Sequence, residues 1–293
     1  MNSLSSEKRA QVIMSLIEGN SIASTCRLTG AAKMTVLSLL RDVGSACQRF
    51  HEARVRYLTP DRVQCDEVWS YCYAKQRNVP AEFMNVEGYG SIWTWTALDA
   101  DSKLIISWLA SSRGMDAAQA FINDLKDRTP NHRFQMTTDG RPEYLLAVVR
   151  SFRDSEIDYA ELLKVFGSSG RQPGSHPKAA ESRYSPGRLL SIEKIPRVGW
   201  PIDKYISTSY MERWNLTLRM QNRRFTRLTN GFSKKFENHR HMLALTMVYY
   251  NFCRKHRSLG GKTPAMASGL SDYVWTASDL LALDMWCAQT AAA

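Results

Sequence analysis

Three carboxylates stand out by the company they keep. Asp66 lies inside a largely apolar and aromatic run, Arg62-Val-Gln-Cys-Asp-Glu-Val-Trp-Ser-Tyr-Cys72, and Asp139 ends the run Arg133-Phe-Gln-Met-Thr-Thr138 at an Asp-Gly step. Glu212 is a single acid in Ser207-Thr-Ser-Tyr-Met-Glu-Arg-Trp-Asn-Leu-Thr-Leu-Arg219, a stretch otherwise rich in Arg and Asn. A carboxylate within a core strand is costly unless it is paired or bound to a cation. Three of them converging from a strand, a strand end and a helix would suit Mg²⁺, with Mn²⁺ expected to substitute, because Mg²⁺ takes a few carboxylates plus water and substrate phosphate. Two such ions could flank one phosphate, activating the attacking oxygen and stabilising the leaving one. Each acid also has a plainer reading. Asp139-Gly140 is a common turn dipeptide, and Glu212 could answer Arg213 or Arg219 in a surface pair. Asp99 and Asp101 compete for a site role but fall in a hairpin loop, where Asp is expected.

The elements that must position these acids follow from periodicity. If residues 209–225 are helical, Glu212, Asn215, Arg219 and Asn222/Arg223 share one face at three- and four-residue steps, with Met211, Trp214, Leu218 and Phe225 opposite. From Arg62 the pattern is that of a strand, with Val63, Cys65, Trp69, Tyr71 and Tyr73 in near alternation. Within it, Asp66 and Glu67 must face opposite ways. Residues 91–98 and 103–109 read as a hairpin around Asp99-Ala-Asp-Ser102. Met115 to Arg128 is an amphipathic helix with Ala118, Phe121, Ile122 and Leu125 inward. Residues 133–138 form a fourth strand, Pro142 opens a helix to about Phe152, and 159–166 reads as a fifth strand or a short helix. Residues 167–206, rich in Gly, Ser, Pro and Arg, read as a long loop or insertion. A second long helix is expected from Ser233 to about His256, and Thr276 with Asp279 has capping-box spacing. The whole describes an α/β layer with a mixed sheet and flanking helices.

Ahead of this layer, residues 5–50 read as three short helices: 11–18, 21–28, and one from Ala31 through Val43, with 49–56 a basic helix or linker. Two helices meeting at Gly30, the second basic at its start, match a helix-turn-helix. That reading points Ala32, Lys33, Met34 and Thr35 into a DNA major groove and sets Arg27 and Arg41 near backbone phosphates. The plainer alternative is a three-helix cap.

Charge agrees with a nucleic-acid partner. The 293-residue chain carries a formal net charge of +11, and between Lys204 and Lys262 thirteen Lys/Arg face two acids, which favours an anionic partner. Asn215, Arg219, Arg223, Arg224, Lys234, Lys235 and His256 are therefore the expected DNA contacts of this segment. No apolar run is long enough to span a bilayer, and the N-terminus lacks an apolar signal core. The six cysteines are scattered without a Cys-x-x-Cys pair, as expected of reduced thiols in a cytoplasmic protein.

With these residues assembled, a family resemblance is apparent. Asp66-Glu-Val-Trp-Ser-Tyr, Thr138-Asp-Gly-Arg-Pro-Glu-Tyr144 and residues 207–219 resemble the DDE transposases of bacterial insertion sequences. Residues 224–235 and Tyr249-Tyr-Asn-Phe-Cys-Arg-Lys-His256 are similar to the insertion-sequence-one type specifically. The resemblance implies a ribonuclease-H-like catalytic domain over 58–262, a helix-turn-helix domain over 1–57 and a helical tail over 263–293. It implies that Asp66, Asp139 and Glu212 form a metal-binding catalytic triad, cutting element ends and joining the 3′ hydroxyl to target DNA. Such reactions bring two ends together, so at least a dimer on DNA is expected, in the bacterial cytoplasm and associated with the nucleoid. Unlike some relatives, the chain shows no zinc-finger cysteine pairs before the helix-turn-helix. A non-catalytic DNA-binding regulator and a structure-selective nuclease on the same fold are the competing readings.

Overall fold

A computed structural model describes residues 4–84, 86–166 and 189–283. At its centre is a six-stranded sheet of β1 (Arg62–Cys72), β2 (Gly90–Asp99), β3 (Ile105–Ser111), β4 (Phe134–Thr138), β5 (Ile157–Phe166) and β6 (Leu189–Val198). Their order across the sheet is β3-β2-β1-β4-β5-β6. β2 runs antiparallel to both β1 and β3, β4 and β5 run parallel to β1, and β6 is antiparallel to β5. This is a mixed α/β sheet of the ribonuclease-H-like arrangement: a meander of three strands, then parallel strands reached by helical crossovers.

Alternation along β1 explains the layers. Val63 and Cys65, with Trp95, Ala97 and Ile106 of the neighbouring strands, join a cluster containing Phe121 and Ile122 of α4 (Met115–Arg128) and Tyr144, Ala147 and Val148 of α5 (Pro142–Ser151). The even positions Val68 and Cys72 pack instead with Met211, Trp214 and Leu218 of α6 (Ser209–Gln221) and Leu243 and Met247 of α7 (Phe236–Phe252). Because the side-chain period of a strand is two, each face collects its own helices.

The N-terminal helices are α1 (Ser6–Ile17), α2 (Ile22–Thr29) and α3 (Lys33–Arg54). Ser5 and Ser21 cap the first two through their hydroxyls, and Gly30 takes the left-handed conformation, φ 69°, that ends α2. The third helix runs on to Arg54, so of the two readings of residues 49–56, basic helix or linker, the helix holds for most of the stretch. Its apolar face, Val36, Leu39, Leu40, Val43, Cys47 and Phe50, continues unbroken to Arg54. α3 lies along α7 so closely that a Cβ on Gly44 would fall 2.6 Å from His241. Arg128 secures the far end of α3, donating to the backbone carbonyls of His51 at 3.2 Å and Val55 at 2.9 Å. These helices share one hydrophobic cluster with α4, α5 and part of α7.

Two expectations need correction. Residues 167–206 are not loop throughout, since β6 occupies Leu189–Val198; the part from 167 to 188 lies outside the described residues. The Glu212 helix stops at Gln221, where Asn222 leaves helical geometry and its side-chain oxygen accepts from the Arg224 amide, opening a short 3₁₀ turn at Arg223–Phe225. Downstream come α8 (Pro264–Ala267) and a helical turn at 277–283. The expected capping box is present there, with Asp279 accepting from the Thr276 amide at 2.7 Å. Among the described residues no helix is long and apolar enough to cross a membrane.

Candidate active site

β1 is hydrogen-bonded to β4 only from Arg62↔Gln135 to Gln64↔Thr137. Beyond that point β1 runs on while β4 ends at Thr138, so the two parallel strands part at the carboxyl end of β4, the kind of place where open α/β sheets bind ligands. Asp66 and Glu67 lie two and three residues past the last pair with β4, and Asp139 is the first residue after β4.

A strand residue places the helix that completes the site. α6 has no side-chain cap of its own. The buried Gln64 supplies one from β1: its Oε1 accepts from the Tyr210 amide at 2.9 Å and the Met211 amide at 3.2 Å. With the first turn of α6 fixed to β1, Asn215 one turn later donates from Nδ2 to Asp66 Oδ2 at 2.7 Å. The other Asp66 oxygen accepts the Glu67 amide at 2.7 Å. Asp66 thus has one oxygen held by its own strand and one held by α6.

Glu67 is the residue that sequence reasoning missed. Alternation sends it to the face opposite Asp66, and its side chain is wholly buried there. Even so, one carboxylate oxygen from each of Asp66, Glu67 and Asp139 lies within 4.8 Å of the others. The explanation is the strand divergence: with β4 absent alongside, the longer Glu side chain and Asp139 meet in the gap from either side. Arg141 Nε stands 3.1 Å from Glu67 and Arg113 Nε 3.5 Å, the latter guanidinium stacked over Trp93 at 3.8 Å. Neither pair has hydrogen-bond alignment, so both Glu67 oxygens, like Asp139 Oδ1, lack a hydrogen-bond partner among the described residues. An adjacent Asp-Glu pair inside an otherwise apolar strand was the available signal.

The electrostatics are those of crowded, buried acids. Burial pushes Asp66 up to about 6; the charges of Asp139 and Glu212 add to this, while the Glu67 amide and Asn215 oppose it. Burial, then Asp139 and Asp66, push Glu67 up to about 7 against the pull of Arg113 and Arg141. Asp139 is also raised, by burial first, although the Arg141 amide and guanidinium favour its charged form. Carboxylates with unpartnered oxygens that raise one another's pKa fit a hard divalent cation, which would take up the oxygens and relieve the repulsion.

Glu212 stands beside this group and outside the 4.8 Å set. Its carboxylate accepts from Thr208 Oγ1 at 2.8 Å and pairs with Lys164 of β5. Behind Asp139, Thr138 and Tyr159 share a 2.8 Å hydroxyl contact, and the buried Glu161 is held by Arg197 at 2.8 and 2.9 Å.

The expected DNA contacts fall into separate groups. Arg27, Lys33, Met34 and Thr35 are exposed together around the α2–α3 turn, with Met34 at 73% exposure. Arg41, also exposed, is engaged by Asp42 and Ser38. Asn215, expected on DNA, is buried and committed to Asp66. Arg219 is half-buried; burial and Arg227 lower its pKa while Asp66 raises it, so it sits between the acids and the basic segment beyond. Arg223 is half-buried. Arg224 donates to Ser233 Oγ at 2.7 Å, and burial brings it down to about 10. Lys234 and Lys235 are exposed just before α7. His256 packs its ring against Tyr250 at 4.9 Å, and burial lowers it to about 4, more as a packed side chain than as a charged contact.

No protein-family model matches the chain, and no curated protein matches it. Among solved structures, the chain is similar to a piggyBac transposase synaptic complex with hairpin DNA. The identity is 10% and the TM-score 0.40, over 98% of this chain and 71% of that one. It is also similar to the Mos1 strand transfer complex, at 9% identity and TM-score 0.25, over 84% and 78% of the two chains.

Proposed function

We propose that the protein is a DDE transposase of the insertion-sequence-one type, which cleaves the ends of its element and joins them to target DNA. The observation that carries this reading is the convergence of Asp66, Glu67 and Asp139 within 4.8 Å at the strand divergence, beside Glu212 and a segment dense in Lys and Arg. Residues 1–57 supply end recognition through the exposed α2–α3 turn, 58–262 the catalytic domain, and 263–293 a helical tail.

In this reading Asp66 and Asp139, with Glu212, hold Mg²⁺ or Mn²⁺, which when bound polarises the scissile phosphate and lowers the pKa of the attacking oxygen. The chain's own residues do the positioning. Gln64 anchors α6, Asn215 orients the Asp66 carboxylate, and Arg113 and Arg141 keep Glu67 against the acids. A water oxygen attacks the phosphorus at the element end and the bond to the 3′ oxygen breaks, leaving a 3′ hydroxyl. That hydroxyl then attacks a target phosphate and displaces its 3′ oxygen, so one phosphodiester is exchanged for another. Two ends must be held together, which calls for at least a dimer on DNA.

The test is a nicking and joining assay on the DNA that flanks the gene. Matched inverted repeats nicked at their 3′ ends in Mg²⁺ support a transposase. Tight binding without nicking would assign the chain to DNA-binding regulation, and nicking of junctions without joining would assign it to a structure-selective nuclease.

A further inference from the structure

Beyond Asp66 on β1, the sheet continues into a feature that the catalytic reading leaves unused. A cavity of about 830 Å³ opens there, lined by Trp69 and Tyr71 of β1, by Lys75, Arg219 and Arg227, and by residues 228–231. Arg224 is the fourth cation in its wall, and no carboxylate lines it. The volume falls within the roughly 300–1,000 Å³ that small-ligand sites span. Trp69, Tyr71 and Phe232 form a ladder of near-parallel rings, with centroids 5.6 and 4.9 Å apart and interplanar angles of 30° and 25°. Its outer ring, Trp69, is 43% exposed, and the indole N–H is fixed to Ser91 Oγ at 3.0 Å.

Rings serving only to fill a core would be covered, and an exposed ladder walled by four cations favours a ligand with a flat π-face and negative charge. The cavity is also close to the acids. Trp69 is three residues from Asp66, about 10 Å along a strand, and Arg219 senses the charges of both Asp66 and Arg227.

We propose that this cavity seats one unpaired base of the DNA strand, within about three nucleotides of the scissile phosphate, its ring on Trp69 and its backbone on Lys75, Arg219 and Arg227. The inference rests on the transposase reading for the identity of the DNA. A paired base cannot enter a concave site of this kind, so the nucleotide must be extruded or already unpaired, and unpairing is cheapest at a mismatch.

The experiment measures binding of the full chain, by fluorescence anisotropy at fixed salt, to end DNA that is fully paired or carries a single mismatch placed one, two or three positions from the cleavage site. The wild type should bind one mismatched register about tenfold more tightly than paired DNA, the scale of one base–aromatic stack. Trp69→Ala should lose that preference while keeping its affinity for paired DNA, and Trp69→Phe should retain it. Lys75→Ala with Arg227→Ala should weaken binding of both DNAs. No mismatch preference in the wild type, or an equal preference in Trp69→Ala of unchanged melting temperature, would overturn the proposal. Failure of the transposase reading looks different: no strand cleavage on any DNA, whatever the binding preference.

Discussion

Replacing Gln64 by Met tests how the site is held together. Gln64 is 3% exposed, and its single carbonyl oxygen satisfies two amides in the first turn of α6. Met fills similar volume but offers no comparable acceptor, so two N–H groups, one buried and one part-buried, lose their partner. At a net value near 1 kcal/mol per hydrogen bond, the expected loss of stability is about 2 kcal/mol. A chain of 293 residues has an unfolding entropy near 0.6 kcal/mol/K, so the melting temperature should fall by about 3 °C. The same bonds fix α6 relative to β1, and through Asn215 the orientation of Asp66. Strand cleavage should therefore fall by more than DNA affinity does. Thermal unfolding followed by circular dichroism, alongside cleavage and binding titrations, reads all three quantities. A melting temperature within 1 °C of wild type, or cleavage unchanged when α6 has lost its anchor, would refute the reasoning.

Three other perturbations have defined outcomes. Asp66 and Glu67 titrate near 6 and 7 in the folded protein, against about 4 when unfolded. The folded state thus binds more protons between pH 4 and 7, and without metal these groups cost more stability as pH rises through that window. About 10 mM Mg²⁺ should raise the melting temperature more at pH 7.5 than at pH 5, and Asp66→Asn should remove the difference; an equal rise at both pH values would contradict it. Asn215→Ala removes the 2.7 Å bond that favours ionised Asp66, so the acidic limb of the cleavage profile should move to higher pH, and an unmoved limb would make Asn215 a mere filler. Lys33→Ala and Arg27→Ala change exposed side chains at the α2–α3 turn. Each should leave folding intact and reduce the log–log salt slope of end binding by up to about 1, whereas unchanged affinity at every salt concentration would place the DNA elsewhere.

Much of this architecture was legible in the residues because local patterns agreed with it. Alternation in β1, the Asp99–Ser102 hairpin, Pro142 at a helix start and the Thr276–Asp279 box all depend on neighbours close in sequence. What was not legible depended on distant partners. The length of α3 reflects packing along α7 and anchoring by Arg128. β6 forms because β5 offers it an edge, even though its own residues are mostly exposed and carry little pattern. The site shows the same division. Asp66 and Asp139 were visible as acids out of place. Glu67 was assigned to the far face, because alternation cannot foresee that β4 ends where β1 continues. Asn215 reads in the sequence as a phosphate contact, and its bond to Asp66 depends on a strand far away in the chain.

In the proposed reading Asp66, Asp139 and Glu212 form one metal-dependent phosphoryl-transfer centre. The most direct measurement is strand transfer by the wild type and by Asp66→Asn, Asp139→Asn and Glu212→Gln, each with Mg²⁺, with Mn²⁺ and with chelator, with DNA binding followed in parallel. The wild type should transfer strands in either metal and not with chelator. Each variant should bind element ends yet join none. Full strand transfer by any one of the three variants would remove that residue from the centre, and undiminished transfer with chelator would contradict the centre itself.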